Sequence, residues 1–436
     1  MFTLSTSEKI DISSTRAPVR VLIQAINYLP EPIGCAKYTS ELAEFLTRQG
    51  YDVEVVTAVP HYPGWHVRPP FRAWKYATET INSLRVIHCP IMVKRNSGGI
   101  WRLIAPLSFA LSAAPILLWR MLRFRPDVLF CVEPTLLAAV VPVLVAKLIG
   151  ARAVLHVQDL EVDAAFRVGH LNGDWLKKLC GMVEPFLLNR FDEIVTISGK
   201  MRAALSQKGI VSGKIQMIRN WVDVRAIKPT RHQGQNAYRE EFGADENTFV
   251  VLYAGHIGAK QALHVLLDAA RMLQDDDKVQ FFIVGEGPCK ASLQAAYAEL
   301  RNVRYLPLQP VDRLNELMNF ADLHVLTQDS AAADLVLPSK INGMLASGRP
   351  IAVTADAGTE LHDLLGGIAA ISPSGDAGAL ARAISGVRDG VVATDVARGL
   401  ALVQQMNADR ILPVFEKALF GDLAEEGRVA DQVGVE

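Results

Sequence analysis

A hydroxyl and a cationic side chain stand side by side at the predicted start of a late helix. Ser339 and Lys340 follow Pro338, which fits the first turn of a helix because its missing N–H would have no intrahelical partner there. Unpaired N–H groups and the positive end of the helix dipole converge at such a turn and attract anions. The stretch that begins at Asp334 therefore predicts an anion site, and an ordinary strand–helix unit is the alternative.

A second candidate anion site follows the strongly apolar strand predicted at 248–254. The loop from Gly255 to Lys260, which contains His256 and Gly258, leads directly into a helical pattern. A glycine-flanked loop that opens a helix can cradle a phosphate group, and Lys260 adds a cation. The loop has neither the Gly-Lys-Ser/Thr of a Walker loop nor a GxGxxG fingerprint. Lys260 as an ordinary surface cation is the alternative.

A histidine and an aspartate lie at the end of the apolar strand predicted at 153–159. In open α/β sheets, ligands collect at the carboxyl ends of the strands. We therefore predict a functional role for His156, and a hydrogen-bonded core histidine is the alternative. Asp159 could orient this histidine or meet substrate hydroxyls, whereas a solvated acidic loop would explain it equally well.

Further glycines stand where strands give way to loops. Gly34 lies at a loop–helix junction after the strand predicted at 19–25, where the missing Cβ would let the backbone approach a ligand, although turn geometry explains this glycine equally well. Gly285, Glu286 and Gly287 follow another apolar strand in the same way. Strands alternate with helical patterns along the chain, which implies parallel sheets. The predicted fold class is α/β, with two doubly wound halves that face each other across a cleft.

The predicted organisation has five segments. They are a polar tail at 1–18, a first Rossmann-like domain at 19–228, a second Rossmann-like domain at 229–403, a C-terminal helix at 404–420 and a frayed tail at 421–436. The pattern predicts one continuous final helix from about Asp395 to Phe420. The first tail lacks an apolar core, which argues against a signal peptide.

Composition excludes several classes of protein. In 436 residues, 50% are hydrophobic and 21% are charged, which is typical of a globular protein with two or three domains. The net charge of −1 gives no reason to expect nucleic acid as a partner. The five cysteines are far apart and form no CxxC pair, so neither a disulfide framework nor a structural zinc site is expected, and a reducing cytoplasm fits.

The uncharged stretch from Leu103 to Trp119 raises the question of a membrane. About 17 residues is the short limit for a span, and Pro106 and Pro115 interrupt the stretch. A helix buried against the sheet is the interpretation that we favour over a true span. The third option is peripheral contact with a membrane face through residues 100–125, with a lipid-linked substrate as the partner.

These motifs together resemble glycosyltransferase family 4 of the GT-B fold, and within it a subgroup of colanic acid and other exopolysaccharide biosynthesis. The resemblance spans residues 19 to about 365. The residues that carry it are Asn27 to Gly34 with Lys37-Tyr38-Thr39, His156 to Asp163, Asn220 to Asp223, Lys260-Gln261 and Leu335 to Lys340.

The resemblance implies an enzyme that transfers a sugar with retention at the anomeric carbon. The donor would be a GDP- or UDP-linked sugar bound to the second domain, without a metal or another cofactor. The acceptor, a lipid-linked or other glycan, would sit mainly on the first domain. The place would be the cytoplasm, with peripheral contact at the inner face of the membrane. The family fold also implies that the last helix crosses back to the first domain.

Motif positions give several residues a role by resemblance. Lys260 is similar to the diphosphate-binding lysine of the family, and Gly34 to its loop glycine near the diphosphate. Gly285, Glu286 and Gly287 would lie near the nucleotide. His156 resembles the active-site histidine and would position the sugar.

Two departures from the family pattern bear on these roles. The usual loop arginine is His256 here, so one fixed positive charge is missing. The paired glutamates of the family fall on Leu335 and Gly343, which have no polar side chain. Our hypothesis is that Asp334 and Lys340 supply replacement contacts. Two other hypotheses stay open, namely a degenerate homologue that binds nucleotide or a partner protein without turnover, and a nucleotide-sugar epimerase.

Overall fold

The computed structural model describes most of the chain. It covers residues 18–421 except 32–33, 63, 95–99, 134–135, 161–162, 164–173, 231–235 and 336. The tails predicted at 1–18 and 421–436 therefore lie outside the described residues, apart from their innermost positions.

The first half of the chain folds around one sheet. Its strands are β1 (Arg20–Gln24), β2 (Asp52–Ala58), β3 (Ala77–Ile81), β4 (Leu84–Cys89), β5 (Val128–Glu133), β6 (Arg152–Val157), β7 (Glu193–Thr196) and β8 (Ile215–Met217). Their order is β3-β4-β2-β1-β5-β6-β7-β8, and all neighbours are parallel except the β3–β4 pair. Runs of Val, Ile and Leu form these strands because both faces of the sheet are covered by helices.

Five described helices belong to this half. They are α1 (Gly34–Arg48), α2 (Ile100–Arg123), α3 (Val140–Ile149), α4 (Asp174–Leu188) and α5 (Gly199–Gln207). Ser198 caps α5, because its side chain accepts a hydrogen bond from the N–H of Met201.

The second half has its own sheet. Its strands are β9 (Phe249–Ala254), β10 (Val279–Val284), β11 (Val303–Leu306), β12 (Leu323–Leu326), β13 (Ile351–Thr354) and β14 (Ala370–Ser372). They are parallel throughout, in the order β11-β10-β9-β12-β13-β14. In each sheet the strands are added first on one side of the first strand, β1 or β9, and then on its other side. This order confirms the two doubly wound halves. The crevices for ligands lie at the carboxyl ends of β1 and β9.

Helices cover both faces of the second sheet, and the last one leaves it. The described helices are α6 (Ala237–Glu241), α7 (Leu263–Met272), α8 (Lys290–Ala296), α9 (Leu314–Phe320), α10 (Lys340–Ser347), α11 (Glu360–Leu365), α12 (Ala377–Arg388), α13 (Val396–Gln405) and α14 (Ala408–Phe420). Helix α14 packs on the first sheet through the buried Phe415. Arg152 of β6 also donates hydrogen bonds to the carbonyls of Ala418 and Leu419.

The prediction of a single final helix is wrong, because the structure has two helices in this part of the chain, α13 and α14. The helix breaks between Gln405 and Ala408 because the connector between the halves pairs with the chain there. Val222 donates its N–H to the carbonyl of Met406 at 3.0 Å and accepts from the N–H of Ala408 at 3.0 Å. The side chain of Asn407 then caps α14. Strands β3 and β14 were also not predicted.

Candidate functional site

Two helix N-termini face each other across the cleft. Helix α10 begins at Lys340, and Ser339 stands at its N-cap without forming a side-chain cap. Helix α1 begins at Gly34 on the opposite side. A Cβ atom at Gly34 would lie 3.0 Å from Ser339 Oγ, so glycine is what allows this approach. The positive ends of two helix dipoles therefore point into the same space, which favours an anion.

A buried tyrosine holds these two helices together. The phenol of Tyr38 in α1 lies close to the side chains of Ser339 and Asn342, which interact with it. Asn342 in turn donates to the carbonyl of Asn220 in the connector at 2.9 Å. Burial raises the pKa of Tyr38, so its phenol stays neutral. The arrangement fixes the spacing between the N-termini of α1 and α10.

Lys340 points toward the glycine loop of the second half. Its Nζ donates to the hydroxyl of Tyr253 at 2.6 Å, and this hydroxyl donates to the carbonyl of His256 at 2.6 Å. Gly255 has a φ of +144°, and a Cβ there would lie only 2.9 Å from Lys340 Nζ. Burial lowers the pKa of Lys340 to about 7. The ammonium thus lies against the start of the predicted phosphate cradle.

The Gly285–Gly287 segment supports this cradle from beneath. A Cβ at Gly285 would lie 1.9 Å from the carbonyl oxygen of Gly255, and one at Gly287 would lie 2.2 Å from that of Ile257. The two loops can pack backbone to backbone only because both positions are glycine. The carboxylate of Glu286 is paired with Lys290 at 2.8 Å. The geometry therefore gives the two glycines a packing role.

His256 is engaged by the first half of the chain. Its Nδ1 lies 3.0 Å from the hydroxyl of Tyr62, across the cleft. The N–H of Tyr62 donates to Glu31 at 2.6 Å, and this buried carboxylate also accepts from the N–H of His61 at 2.6 Å. Glu31 thereby holds the loop that carries Tyr62. Gly258 leaves room for the same imidazole, because a Cβ there would lie 2.7 Å from His256 Nε2.

Asp159 and Lys260 lie close enough to interact across the cleft. Burial raises the pKa of Asp159 to about 6, and the positive charge of Lys260 opposes this rise. The carboxylate also acts on Cys35 at the start of α1, whose pKa it raises further. The predicted Asp159, Lys260 and Gly34 regions are thus brought together in one place.

His156 does not join this group. It is 1% exposed and lies between the rings of Phe130 and Phe415, with centroids 6.1 and 4.9 Å away. Its Nε2 has no hydrogen-bond partner among the described residues. Burial lowers its pKa to about 3, so the imidazole is neutral. The side chain faces α14 rather than the cleft, and we therefore interpret it as a core residue.

Asp334 and the two glutamate-register positions serve packing and capping. Asp334 has a φ of +63° and accepts from the N–H of Glu360 at 2.7 Å. Leu335 is 3% exposed and packs with the core of the first half. A Cβ at Gly343 would lie 3.5 Å from Ile227 Cδ1, in apolar surroundings. These surroundings explain why apolar residues fit at both positions.

The residues that sequence reasoning missed are the tyrosines and the glutamate that connect the parts of the site. They are Glu31, Tyr38, Tyr62 and Tyr253. A tyrosine inside a strand or helix gives no signal of its own, and only Glu31 and Tyr38 stood within a motif. Among the described residues, no group of three or more His, Cys, Asp or Glu side chains could hold a metal ion.

Comparison with known proteins agrees with this architecture. The family model for the glycosyl transferase 4-like domain matches residues 34–221, and the family model for glycosyl transferases group 1 matches residues 248–389. A protein of Escherichia coli (strain K12) named as a colanic acid biosynthesis glycosyl transferase, WcaI, is 38% identical over 352 residues. The match covers 79% of this chain and 86% of that protein.

Solved structures share the fold at low sequence identity. The Anabaena protein HepE, in complex with UDP and glucose, is 17% identical with a TM-score of 0.67, covering 92% of this chain and 99% of that one. Sucrose-phosphate synthase from Thermosynechococcus elongatus is 16% identical with a TM-score of 0.71, covering 94% and 100%. Both halves, their sheet orders and the sequence matches lead to one conclusion. The chain belongs to the GT-B glycosyltransferases that combine a glycosyl transferase 4-like domain with a glycosyl transferases group 1 domain.

Proposed function

We propose that this chain is a retaining glycosyltransferase of exopolysaccharide synthesis, which moves a sugar from a GDP- or UDP-linked donor to a lipid-linked or other glycan acceptor. The observation that carries the proposal is the convergence of Lys260, Lys340 and two helix N-termini on one cleft. The WcaI protein, named for colanic acid biosynthesis, supports the pathway class. The complex of HepE with UDP and glucose supports a nucleotide donor.

The departing diphosphate is the group that this cleft suits best. Sugar transfer places negative charge on the leaving diphosphate, and fixed dipoles and cations stabilise that charge without reorganising during the reaction. The N-termini of α1 and α10 provide the dipoles, and Lys260 and Lys340 provide the cations. In this proposal they do so without a metal ion.

Asp159 is the polar group of the first half best placed to meet a sugar. It lies beyond the end of β6, on the side of the cleft opposite the glycine loop. With a pKa of about 6, its carboxylate is mostly ionised at pH 7 and can accept a hydrogen bond from a hydroxyl. In a front-face retaining step, the leaving phosphate itself would take the proton of the acceptor.

Helix α2 offers a surface for peripheral contact with the inner face of the membrane. One stripe packs on the sheet, formed by Ala105, Phe109, Ala113, Leu117 and Met121. The outer face exposes Leu107, Leu111, Leu118, Trp119 and Leu122. Among the described helices, only α2 contains a stretch that is long and apolar enough to cross a membrane, namely Ile104–Arg123. In the most apolar part of this stretch, 33% of the residues are buried in the protein. We favour a helix that lies on the membrane, because a buried stripe ties it to the sheet.

Replacing Leu111 and Trp119 by serine tests this contact. Each exposed apolar side chain should contribute on the order of 1 kcal/mol to membrane binding, so the double variant, which loses about 2 kcal/mol, should bind liposomes about 30-fold more weakly. Val311 and Val391, both exposed on the second half, give a matched control when replaced by serine. If wild type and the α2 variant float equally with liposomes, α2 is a core helix without a role in membrane contact.

The direct test of the activity uses labelled donor sugars and bacterial membranes as a source of acceptor. We expect label to enter a lipid-extractable product, with release of an equal amount of nucleoside diphosphate. The second candidate function is nucleotide binding without turnover, which the apolar surroundings of Leu335 and Gly343 favour. Binding of a nucleotide without any transfer or release would support this second candidate.

A further inference from the structure

The ammonium group of Lys340 is held without a counter-charge. Among the described residues, it forms no ion pair with a carboxylate, and desolvation alone accounts for its lowered pKa. Its hydrogen-bond acceptor is the neutral hydroxyl of Tyr253, and Nζ also lies 4.0 Å from the centre of that ring. A cation kept in such surroundings retains its full attraction for an incoming anion.

Two hydrogen bonds meet at the hydroxyl of Tyr253. Its hydroxyl proton is donated to the carbonyl of His256 at 2.6 Å, so the oxygen lone pairs are left for Lys340. The ring is fully buried in β9, and burial raises its pKa, so the phenol remains neutral. Tyr253 thereby ties the ammonium to the backbone of the glycine loop. Gly255 keeps the space beside Nζ open, since any Cβ would fill it.

We propose that Lys340 contacts the diphosphate of the donor directly, as a second cation beside Lys260, and that Tyr253 is its positioning residue. The inference rests on the proposed function and adds a specific pair of residues to it. Lys340 would replace the fixed positive charge that is missing at position 256, where the histidine is engaged by Tyr62 instead. It reaches the loop from the start of α10, so cation and helix dipole would act on the same anion.

A change in protonation should accompany nucleotide binding if this assignment holds. The free protein has a Lys340 pKa of about 7, and a diphosphate beside the ammonium would raise it. Above pH 7 the protein would therefore take up a proton when the nucleotide binds. Within the described part of the chain, the hydrogen bonds around Lys340 connect it to three other titratable groups, which are Tyr253 on β9, Tyr62 on the facing loop and the His256 imidazole. The two tyrosines have no proton to gain at this pH.

Isothermal titration calorimetry in two buffers of different ionisation enthalpy counts this proton. At pH 8 the diphosphate itself is fully ionised, so the wild type should take up about 0.9 proton on binding UDP or GDP. Lys340→Met should remove this uptake and weaken binding about 10- to 100-fold. Lys278→Met, which removes an exposed charge elsewhere in the same half, should change neither quantity.

Tyr253→Phe tests the positioning role separately. It should weaken nucleotide binding about 3- to 10-fold because the ammonium loses its hydrogen bond. In the Lys340→Met background the same change should have no further effect, which a merely structural tyrosine would not show. Lys340→Arg, a cation that does not deprotonate, should bind at pH 8 without proton uptake.

The outcomes separate this inference from the proposed function. Unchanged affinity and proton uptake in Lys340→Met would overturn the inference while leaving nucleotide binding intact. Additive effects of Tyr253→Phe and Lys340→Met would overturn the positioning role. A wild type that binds none of GDP, UDP, ADP or dTDP would overturn the proposed function and the inference together.

Discussion

Position 256 shows how a single residue changes the charge of the cleft. A histidine stands where the resemblance leads one to expect an arginine, and its Nδ1 lies 3.0 Å from the hydroxyl of Tyr62. A histidine, unlike an arginine, adds no permanent positive charge to the glycine loop. The cations of the cleft are then Lys260 and Lys340, one from the loop and one from α10. Lys340 lies against Gly255, so the cation from α10 is placed beside the glycine loop that carries position 256.

His156 should control stability at acidic pH rather than catalysis. Its pKa is about 3 in the folded protein and about 6.5 in the unfolded chain, so the unfolded state binds more protons between these values. Stability is therefore complete above pH 6.5 and falls as the pH drops toward 3, by about 2 kcal/mol at pH 5 from this residue.

His156→Phe is the variant that tests this role. It keeps an aromatic ring between Phe130 and Phe415 but cannot be protonated. Urea unfolding at pH 7.5 and pH 5 should show a smaller loss of stability in the variant than in the wild type. His324→Phe provides a comparison, since burial lowers the pKa of that histidine to about 4 as well. If the KM for the donor rises strongly in His156→Phe, the interpretation of His156 as a core residue is wrong and the histidine belongs to the active site.

At the scale of elements, one glycine-rich loop stabilises another. The segment after β10 lies directly against the segment after β9, and Ile257 donates its N–H to the carbonyl of Glu286 at 3.0 Å. The shape of the cradle therefore depends on residues outside the Gly255–Lys260 loop. Its shape is set by two strand ends that are neighbours in the sheet.

Gly285→Ala should damage this arrangement severely. The new Cβ would lie 1.9 Å from the carbonyl oxygen of Gly255, and the φ of +146° is itself strained for alanine. We expect a loss of about 3 kcal/mol or more in the free energy of unfolding, or loss of nucleotide binding where the loop shifts instead. Gly213→Ala is the control, because nothing lies within 4 Å of its Cβ position. Equal stability and equal affinity in Gly285→Ala would contradict the packing role.

The elements themselves could largely be predicted, because long apolar strands and helix α10 (Lys340–Ser347) follow local rules. The predicted helix is confirmed, with Gly348 at its C-cap, but it begins at Lys340, so Pro338 precedes the helix instead of lying in its first turn. The break between α13 and α14 could not be predicted, since it depends on Val222, far away in the chain. The role of His156 depends in the same way on Phe415. A strand sequence does not reveal which face a distant helix will cover.

At the scale of the molecule, the two halves meet through a few polar contacts around the cleft. Leu160 donates its N–H to the carbonyl of Leu335 at 3.2 Å, and Arg219 donates to Glu360 at 2.6 Å. The contact between Tyr62 and His256 closes the side of the glycine loop. Residues such as Tyr62 could not be identified from the sequence, because their partners depend on how the halves face each other.

Tyr62→Phe should loosen the donor side without unfolding the protein. Removing one hydrogen bond across the cleft, with a net contribution of about 1 kcal/mol, should raise the donor KM about fivefold. The melting temperature should stay close to that of the wild type, because each half keeps its own core. Tyr76→Phe is the matched control, because Tyr76 lies just before β3 in the first half and its hydroxyl likewise donates one hydrogen bond, to the carbonyl of Ser112 at 2.9 Å. An unchanged KM would show that the Tyr62 contact has no part in donor binding.

Thermal unfolding with GDP, UDP, ADP and dTDP tests the central claim most directly. A ligand at about one hundred times its dissociation constant stabilises the folded state by about 2.7 kcal/mol, which a melting curve resolves easily. We predict that one base family raises the melting temperature of the wild type. Lys260→Ala should fold equally well but lose this response, whereas Lys278→Ala should keep it. No stabilisation by any of the four nucleotides, or an undiminished response in Lys260→Ala, would contradict the account.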